Sequence, residues 1–386
     1  MLTVNDQDTT NIIQFFNELP DPRSEVNRVH LLGDVIVISI CAVLAGCDGP
    51  TAIAKWAGLN NVWLKKHLAL PNGIPAKDTY RRVLSLLDPR TFQQCFSQWI
   101  DSLSFLTDEE KAAHKRQIAI AGKAQRRSHD RKKVLGALFI VSAWACDQGV
   151  SLGQVSTEEK SNEITAIPVL LDQIDFEDAI ITIDAAGCQK NIATQIDAGG
   201  GDYVLALKKN HPTLYQQVES FFLDHLEDDF ARCSVSRYEE FEKSHGRVEH
   251  RIYYQVTAPK ELYGRADWAG LKTIGMAIRI YEQDGVEKMD ARFYLCSLHR
   301  NGKQFGRAVR GHWGIENSLH WCLDMTYRED ESRVRNRNFA DNLSWLRRLT
   351  LSLIKQHPGK ESLVMKRRMA GWSVDYLMQL LTGNHT

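Results

Sequence analysis

The sequence predicts an α/β protein, a mixed sheet with helices on its faces preceded by an all-helical region. Three observations carry this. Residues 1 to about 105 hold short apolar and amphipathic segments at helical spacing, punctuated by Pro and Gly. Two apolar, β-rich runs, Ile180–Ile183 and Val204–Leu207, read as parallel strands buried on both faces. Ahead of them lies a hairpin, Leu135–Cys146 turned by Asp147-Gln-Gly into Ser151–Ser156, and helical segments alternate with the strands.

In chain order, Asn11–Leu19 is a short amphipathic helix stopped by Pro20 and Pro22. Val29–Gly46 is a core helix ending at glycine. Thr51–Trp56 and Asn61–Leu68 follow, split by Gly58-Leu-Asn. This pair is either a DNA-reading helix-turn-helix or an ordinary turn within a helical region. Lys77–Leu87 and Thr91–Phe105 complete the region, and Trp56, Trp63 and Trp99 are read as core. After a charged linker, Ile118–Ala121 is a short strand. Ser161–Leu171 and Cys188–Ala198 are helices on the sheet, the second closed by Gly199-Gly-Gly201. Leu214–Leu226 is helical. Val248–Thr257, Thr273–Glu282 and Lys288–Ser297 alternate like antiparallel strands, an inserted β-rich segment at about 213–300. Gln304–Met325, Phe339–Gln356 and Asp375–Leu381 return to helix, with Arg328–Asn338 a polar connector. The division expected is a helical domain over 1–112 and an α/β domain over 113–386.

Composition bounds the function. Lys+Arg and Asp+Glu are both 48 in 386 residues, so total charge argues for no partner. Locally, Lys115–Lys133 and Arg333–Arg348 are basic, which is what contact with a phosphate backbone needs. The 8 cysteines form no C-x-x-C pair and read as reduced thiols of a cytoplasmic protein. Val35–Gly46 is too short to span a bilayer, so no membrane partner is expected.

Chemistry concentrates in Arg310-Gly-His-Trp-Gly-Ile-Glu-Asn-Ser-Leu-His-Trp321. As a helix it stacks His312, Glu316 and His320 along one face, with Ile315, Leu319 and Cys322 as the apolar stripe beside them. Asp184 stands at the carboxyl end of a central strand, where open α/β sheets place ligands. A carboxylate at a strand end, another on a later helix and basic tracts around both suggest metal-assisted phosphoryl chemistry. A zinc hydrolase on His312, Glu316 and His320 is disfavoured, because the spacing is not H-E-x-x-H.

Longer motifs are more specific. Ile183-Asp-Ala-Ala-Gly-Cys-Gln-Lys190, Gly200-Gly-Asp-Tyr-Val-Leu-Ala-Leu-Lys208, Asn162-Glu-Ile-Thr-Ala-Ile-Pro168, His312–Trp321 and the N-terminal Phe15-Phe-Asn-Glu-Leu-Pro-Asp-Pro-Arg23 together resemble the ISAs-type insertion-sequence transposases, including the H-repeat-associated proteins found beside Rhs elements. The resemblance covers nearly the full chain. It implies an RNase H-like core with an Asp-Asp-Glu triad, DNA strand cleavage and strand transfer, Mg²⁺ with Mn²⁺ as a substitute, double-stranded DNA as partner, a homodimer or larger synaptic oligomer, and a bacterial, nucleoid-associated location. The second Asp and the Glu fall on Asp184 and Glu316, which become the metal ligands. The first Asp belongs to a motif resembling Ile-Asp-Gly-Lys, which here reads Ile120-Ala-Gly-Lys123. Ala121 thus stands where the first catalytic carboxylate is expected. Either the chain is a disabled transposase, or it is an inactive DNA-binding or regulatory relative.

Several cations are candidates for DNA contact. Lys123, Arg126, Arg127, Arg131, Lys132 and Lys133 follow the first strand and either hold the DNA backbone or form a solvated loop. Lys208 and Lys209 follow a core strand near the inferred site. Arg333, Arg335 and Arg337 alternate, aiming one way if extended, toward DNA or toward surface ion pairs with Glu329, Asp330 and Glu331. His312 and His320 either touch substrate or cap the pocket.

Overall fold

The computed structural model describes residues 14–16, 19–102, 115–129, 136–157, 163–244, 247–283 and 286–383. The expected helix over Asn11–Leu19 and the residues Arg131, Lys132 and Lys133 lie mostly or wholly outside these. Among the described residues no helix is long and apolar enough to cross a membrane.

One nine-stranded mixed sheet organises the chain. Its strands are β1 (Gln117–Gln125), β2 (Leu138–Ala145), β3 (Val150–Thr157), β4 (Ile180–Ile183), β5 (Asp202–Leu207), β6 (Val235–Ser244), β7 (Arg247–Thr257), β8 (Thr273–Gln283) and β9 (Val286–Cys296). Their order is β3-β2-β1-β4-β5-β9-β8-β7-β6. β1, β4 and β5 are parallel, and every other pairing is antiparallel. The expected α/β class is therefore present. The β-rich insertion joins this sheet, because β9 pairs with β5 and continues it. β6 is absent from the sequence expectation. Its Arg, Glu and Lys suit an outermost strand, whose charges discourage pairing with another chain, but they hide the apolar alternation.

Side-chain alternation along β1 divides the two faces. Ile118 and Ile120 enter a core with Ile167 and Leu170 of α6 (Glu163–Leu171), Ile192 of α7 (Lys190–Ala198) and Val218 of α8 (Pro212–Leu226). Ala119 and Ala121 face the other side, with Ile315 and Leu319. That side is covered by α9 (Gly302–Gly314), started by Asn301, whose side-chain oxygen accepts from Gln304 N–H at 3.1 Å. Phe305 anchors α9 to the sheet where β8 has Gly275, and a Cβ there would lie 2.4 Å from a ring carbon. Small residues on β1 and β8 thus let α9 approach closely.

The N-terminal helices are α1 (Leu32–Leu44), α2 (Pro50–Leu59), α3 (Asn61–His67), α4 (Lys77–Leu86) and α5 (Pro89–Ser102). α1 is buried nearly all round. Only Asn60 separates α2 from α3, and Gly58 lies inside α2, so the expected three-residue turn does not form. These helices share one apolar core with α10 (Trp321–Met325), α11 (Arg337–Gln356), α12 (Leu363–Trp372) and α13 (Val374–Thr382). α12 was missed in the sequence, since Lys366, Arg367 and Arg368 interrupt its apolar pattern.

Candidate active site

Parallel pairing of β1 with β4 sets the site. The last paired residues are Ile120 and Ile183, and the next step along both strands brings Ala121 beside Asp184. Two residues earlier on β4, Thr182 Oγ1 lies 3.1 Å from His312 Nδ1. This contact pins the end of α9 over the strand ends, and Glu316 follows one turn later. Asp184 Oδ1 accepts from the N–H groups of Ala186 at 3.0 Å and Gly187 at 3.4 Å, which orients the carboxylate at the strand end.

The helix predicted through 310–321 is not uniform. Ile315–His320 forms a π turn between α9 and α10. Such one-turn bulges re-aim side chains and are frequent at functional sites. Ile315, Leu319 and Cys322 are buried as expected. Glu316 is half exposed, and its Oε2 lies 3.1 Å from Nδ1 of the buried His320. That hydrogen bond, ahead of the opposing effect of burial, holds the Glu316 carboxyl below the ordinary carboxylate range. The His312 pKa is lowered as well, but there by burial, which favours the neutral imidazole despite Asp184 and Glu316 nearby.

Asp184, Lys208, Lys209, His312, Trp313 and Glu316 line one open cleft of about 940 Å³. Both lysines are exposed at it, as the sequence reading placed them. Ala121 is buried at 5% exposure, and its methyl offers no oxygen. Among the described residues no group of three or more His, Cys, Asp or Glu could hold a metal ion. Two hard cations need more oxygen ligands than Asp184 and Glu316 supply, so the residues present do not fit a two-ion centre.

Other candidate cations go elsewhere. Lys123 is not on a DNA-facing loop. It is buried on β1, with Nζ 2.7 Å from Asp324, 3.1 Å from Asp330 and 3.6 Å from Glu329. Burial alone would depress its pKa, but these carboxylates outweigh it and keep the ammonium charged. Glu329 is fully buried and also holds Arg348 at 3.0 Å, within a network reaching Ser344, Gln125 and Ser142. Sequence reasoning missed this network because its members are far apart in the chain. Arg126 is exposed but pairs with Asp330 at 3.2 Å, while Arg127 is exposed. His320 is buried against Glu316, in line with the pocket-capping alternative. Arg333 and Arg335 are exposed, and Arg335 joins Arg81 and Arg82 of α4 around a second cleft. The predicted alternation ends at Arg337, which begins α11 and donates to the Gly136 carbonyl at 2.8 Å. Glu329, Asp330 and Glu331 pair instead with Arg348, Lys123, Arg126 and Arg328.

The Transposase DDE domain family matches residues 81–353, and the DDE_Tnp_1-associated family matches residues 13–100. "Putative transposase YncI" of Escherichia coli O157:H7 is 36% identical over 96% of this chain and 94% of its own length. "H repeat-associated putative transposase YhhI" of Escherichia coli strain K12 is 35% identical over 97% of this chain and 98% of its own. With a mixed sheet of RNase H-like order and a helix-borne Glu over its strand ends, the chain belongs to the DDE transposase family, in its H repeat-associated group.

Proposed function

We propose that this chain is an insertion-sequence transposase of the two-metal class, built to cut DNA at the element's ends and join the freed 3′-hydroxyl to a target, and that Ala121 disables it. The observation carrying this reading is the side-by-side placement of Ala121 and Asp184 beneath the turn that bears Glu316. A carboxylate at position 121 would stand next to Asp184 at the strand ends and complete a three-acid set. That acid, Asp184 and Glu316 would together hold Mg²⁺ or Mn²⁺, which would supply Lewis-acid chemistry for phosphoryl transfer. With Ala121 present, no cleavage step follows from the residues in place.

What remains is binding. Lys208 and Lys209 at the cleft, with Arg126, Arg127, Arg333 and Arg335 outside it, are suited to the phosphates of double-stranded DNA. A homodimer or larger synaptic assembly would bring two ends together. Ala121 equally favours a second reading, a non-cleaving DNA-binding or regulatory relative.

A cleavage assay separates the two. DNA flanking the gene is incubated in Mg²⁺ or Mn²⁺ with the chain as given and with Ala121→Asp. Nicking at defined ends by the Asp form alone supports the disabled transposase. DNA binding without cleavage by either form favours the regulatory relative. Cleavage by the chain as given overturns the assignment of position 121.

A further inference from the structure

A small cleft of about 210 Å³ opens at the start of α8, against Tyr263 and Trp268. It shares no residue with the site cleft, and no carboxylate lines it. Clefts that bury drug-sized ligands begin at roughly 300 Å³, so this one suits a single compact group.

The lining is rich in unused donors. α8 starts without a capping side chain, and its first residue, Pro212, has no N–H. Tyr215 N–H donates to the His211 carbonyl at 2.8 Å, which leaves the Thr213 and Leu214 N–H groups without a partner among the described residues. With the helix dipole behind them, these groups attract an anion. Trp268 is a further donor left over. It is only 3% exposed, and its indole N–H meets no acceptor among the described residues. That N–H is not sealed from solvent, and this cleft is where the Trp268 side chain reaches it. A donor so deeply placed costs stability until an acceptor joins it. The His211 ring meets the indole edge-on at 5.4 Å and holds it in place. Lys190, the first residue of α7, adds an ammonium at the rim. Its Nζ lies 2.6 Å from Asp267, but both side chains are about half exposed, and such a pair is weak enough to open.

We propose that this cleft binds a phosphate group, held by the Thr213 and Leu214 N–H groups, the Trp268 indole N–H and the Lys190 ammonium. Donors from two helices and a loop suit a tetrahedral oxyanion, which accepts in several directions and forms strong charge-assisted hydrogen bonds. A bound phosphate would also brace the loop that follows Asp184. Asn210 donates to the Ala185 carbonyl at 2.8 Å and His211 to the Cys188 carbonyl at 2.7 Å, tying that loop to the turn that starts α8. The phosphate comes either from a DNA backbone or from free phosphate in solution. Its binding is independent of cleavage at the site cleft.

The test follows the tryptophan indole N–H resonances of the full chain, nine in all, by ¹H–¹⁵N NMR as inorganic phosphate is added. Trp268→Phe identifies the Trp268 resonance. That resonance should shift saturably with phosphate and stay still in sodium chloride of equal ionic strength. Lys190→Ala should raise the midpoint about tenfold, the scale of one charge-assisted hydrogen bond. Asp267→Asn frees Lys190 from its pair and should lower the midpoint. Both residues are about half exposed, and circular dichroism melts check that the variants fold. Duplex DNA that displaces phosphate from this resonance puts a backbone phosphate in the cleft, and duplex that leaves it bound makes free phosphate the ligand. Each of these supports the site. A Trp268 resonance that ignores phosphate, follows chloride equally, or keeps its midpoint in Lys190→Ala overturns it and leaves the reading of the site cleft untouched.

Discussion

Ala121 on β1 and Asp184 at the end of β4 stand side by side, one register step past the Ile120–Ile183 pair. An aspartate at position 121 would put two carboxylates together, and like charges at short range destabilise unless a cation separates them. We expect Ala121→Asp to melt below the unaltered chain without metal and to gain much more from added Mg²⁺ or Mn²⁺, since a ligand that binds only the folded state raises its stability. Differential scanning calorimetry across a metal titration reads this. Equal gains for both forms would remove position 121 from the metal site.

His320 holds the Glu316 carboxyl through one hydrogen bond. Because this depresses the folded pKa of Glu316 below 4.5, the associated stability is present above that value and is lost as pH falls through the lower folded value. His320→Leu should therefore make unfolding less sensitive to acid below 4.5, by under about 1 kcal/mol because Glu316 is half exposed. Urea midpoints measured down a pH series report the difference. An unchanged series would show that His320 does not control this carboxylate.

Glu329 carries a larger linkage. It is fully buried; burial opposes its charge, but Arg348 and Lys123 outweigh that and hold it at about 2. Its contribution is complete above 4.5 and is lost as pH falls toward 2. Glu329→Gln leaves Arg348 charged and buried without its partner, and should cost about 3–5 kcal/mol at neutral pH. Chemical denaturation at neutral pH tests it, and a loss below 1 kcal/mol, about what an exposed pair contributes, would contradict it.

Gly275 sets how closely α9 lies on the sheet. Gly275→Ala drives a methyl into the Phe305 ring, so overpacking should cost about 1–3 kcal/mol. The displaced helix also carries His312, so the His312–Thr182 hydrogen bond should weaken with it. Imidazole chemical shifts of His312 follow that contact, and shifts identical to those of the unaltered chain would show that the strain is absorbed elsewhere.

Much of the candidate site was legible in the chain because its residues sit in short motifs. Asp184 ends an apolar strand, and Glu316 lies within His312–Trp321, where local spacing alone sets the neighbours. The core strands were legible because strands buried on both faces read as unbroken apolar runs. β6 was not, since an edge strand needs no apolar face. Lys123 looked like part of a basic loop because Asp324, Glu329 and Asp330, which bury it, lie some two hundred positions away in sequence.

By itself the sequence determined the α/β class, the strand-end position of Asp184, the helical placement of Glu316 and the alanine at position 121, since each depends on local pattern or on the identity of one residue. Tertiary structure decided which of these meet. Parallel registry set Ala121 next to Asp184, the His312–Thr182 contact fixed the helix leading to Glu316 against β4, and pairing of β9 with β5 joined the inserted β-rich segment to the core sheet. Long-range pairing and close packing fix such placements, and neither has a local signature in the chain.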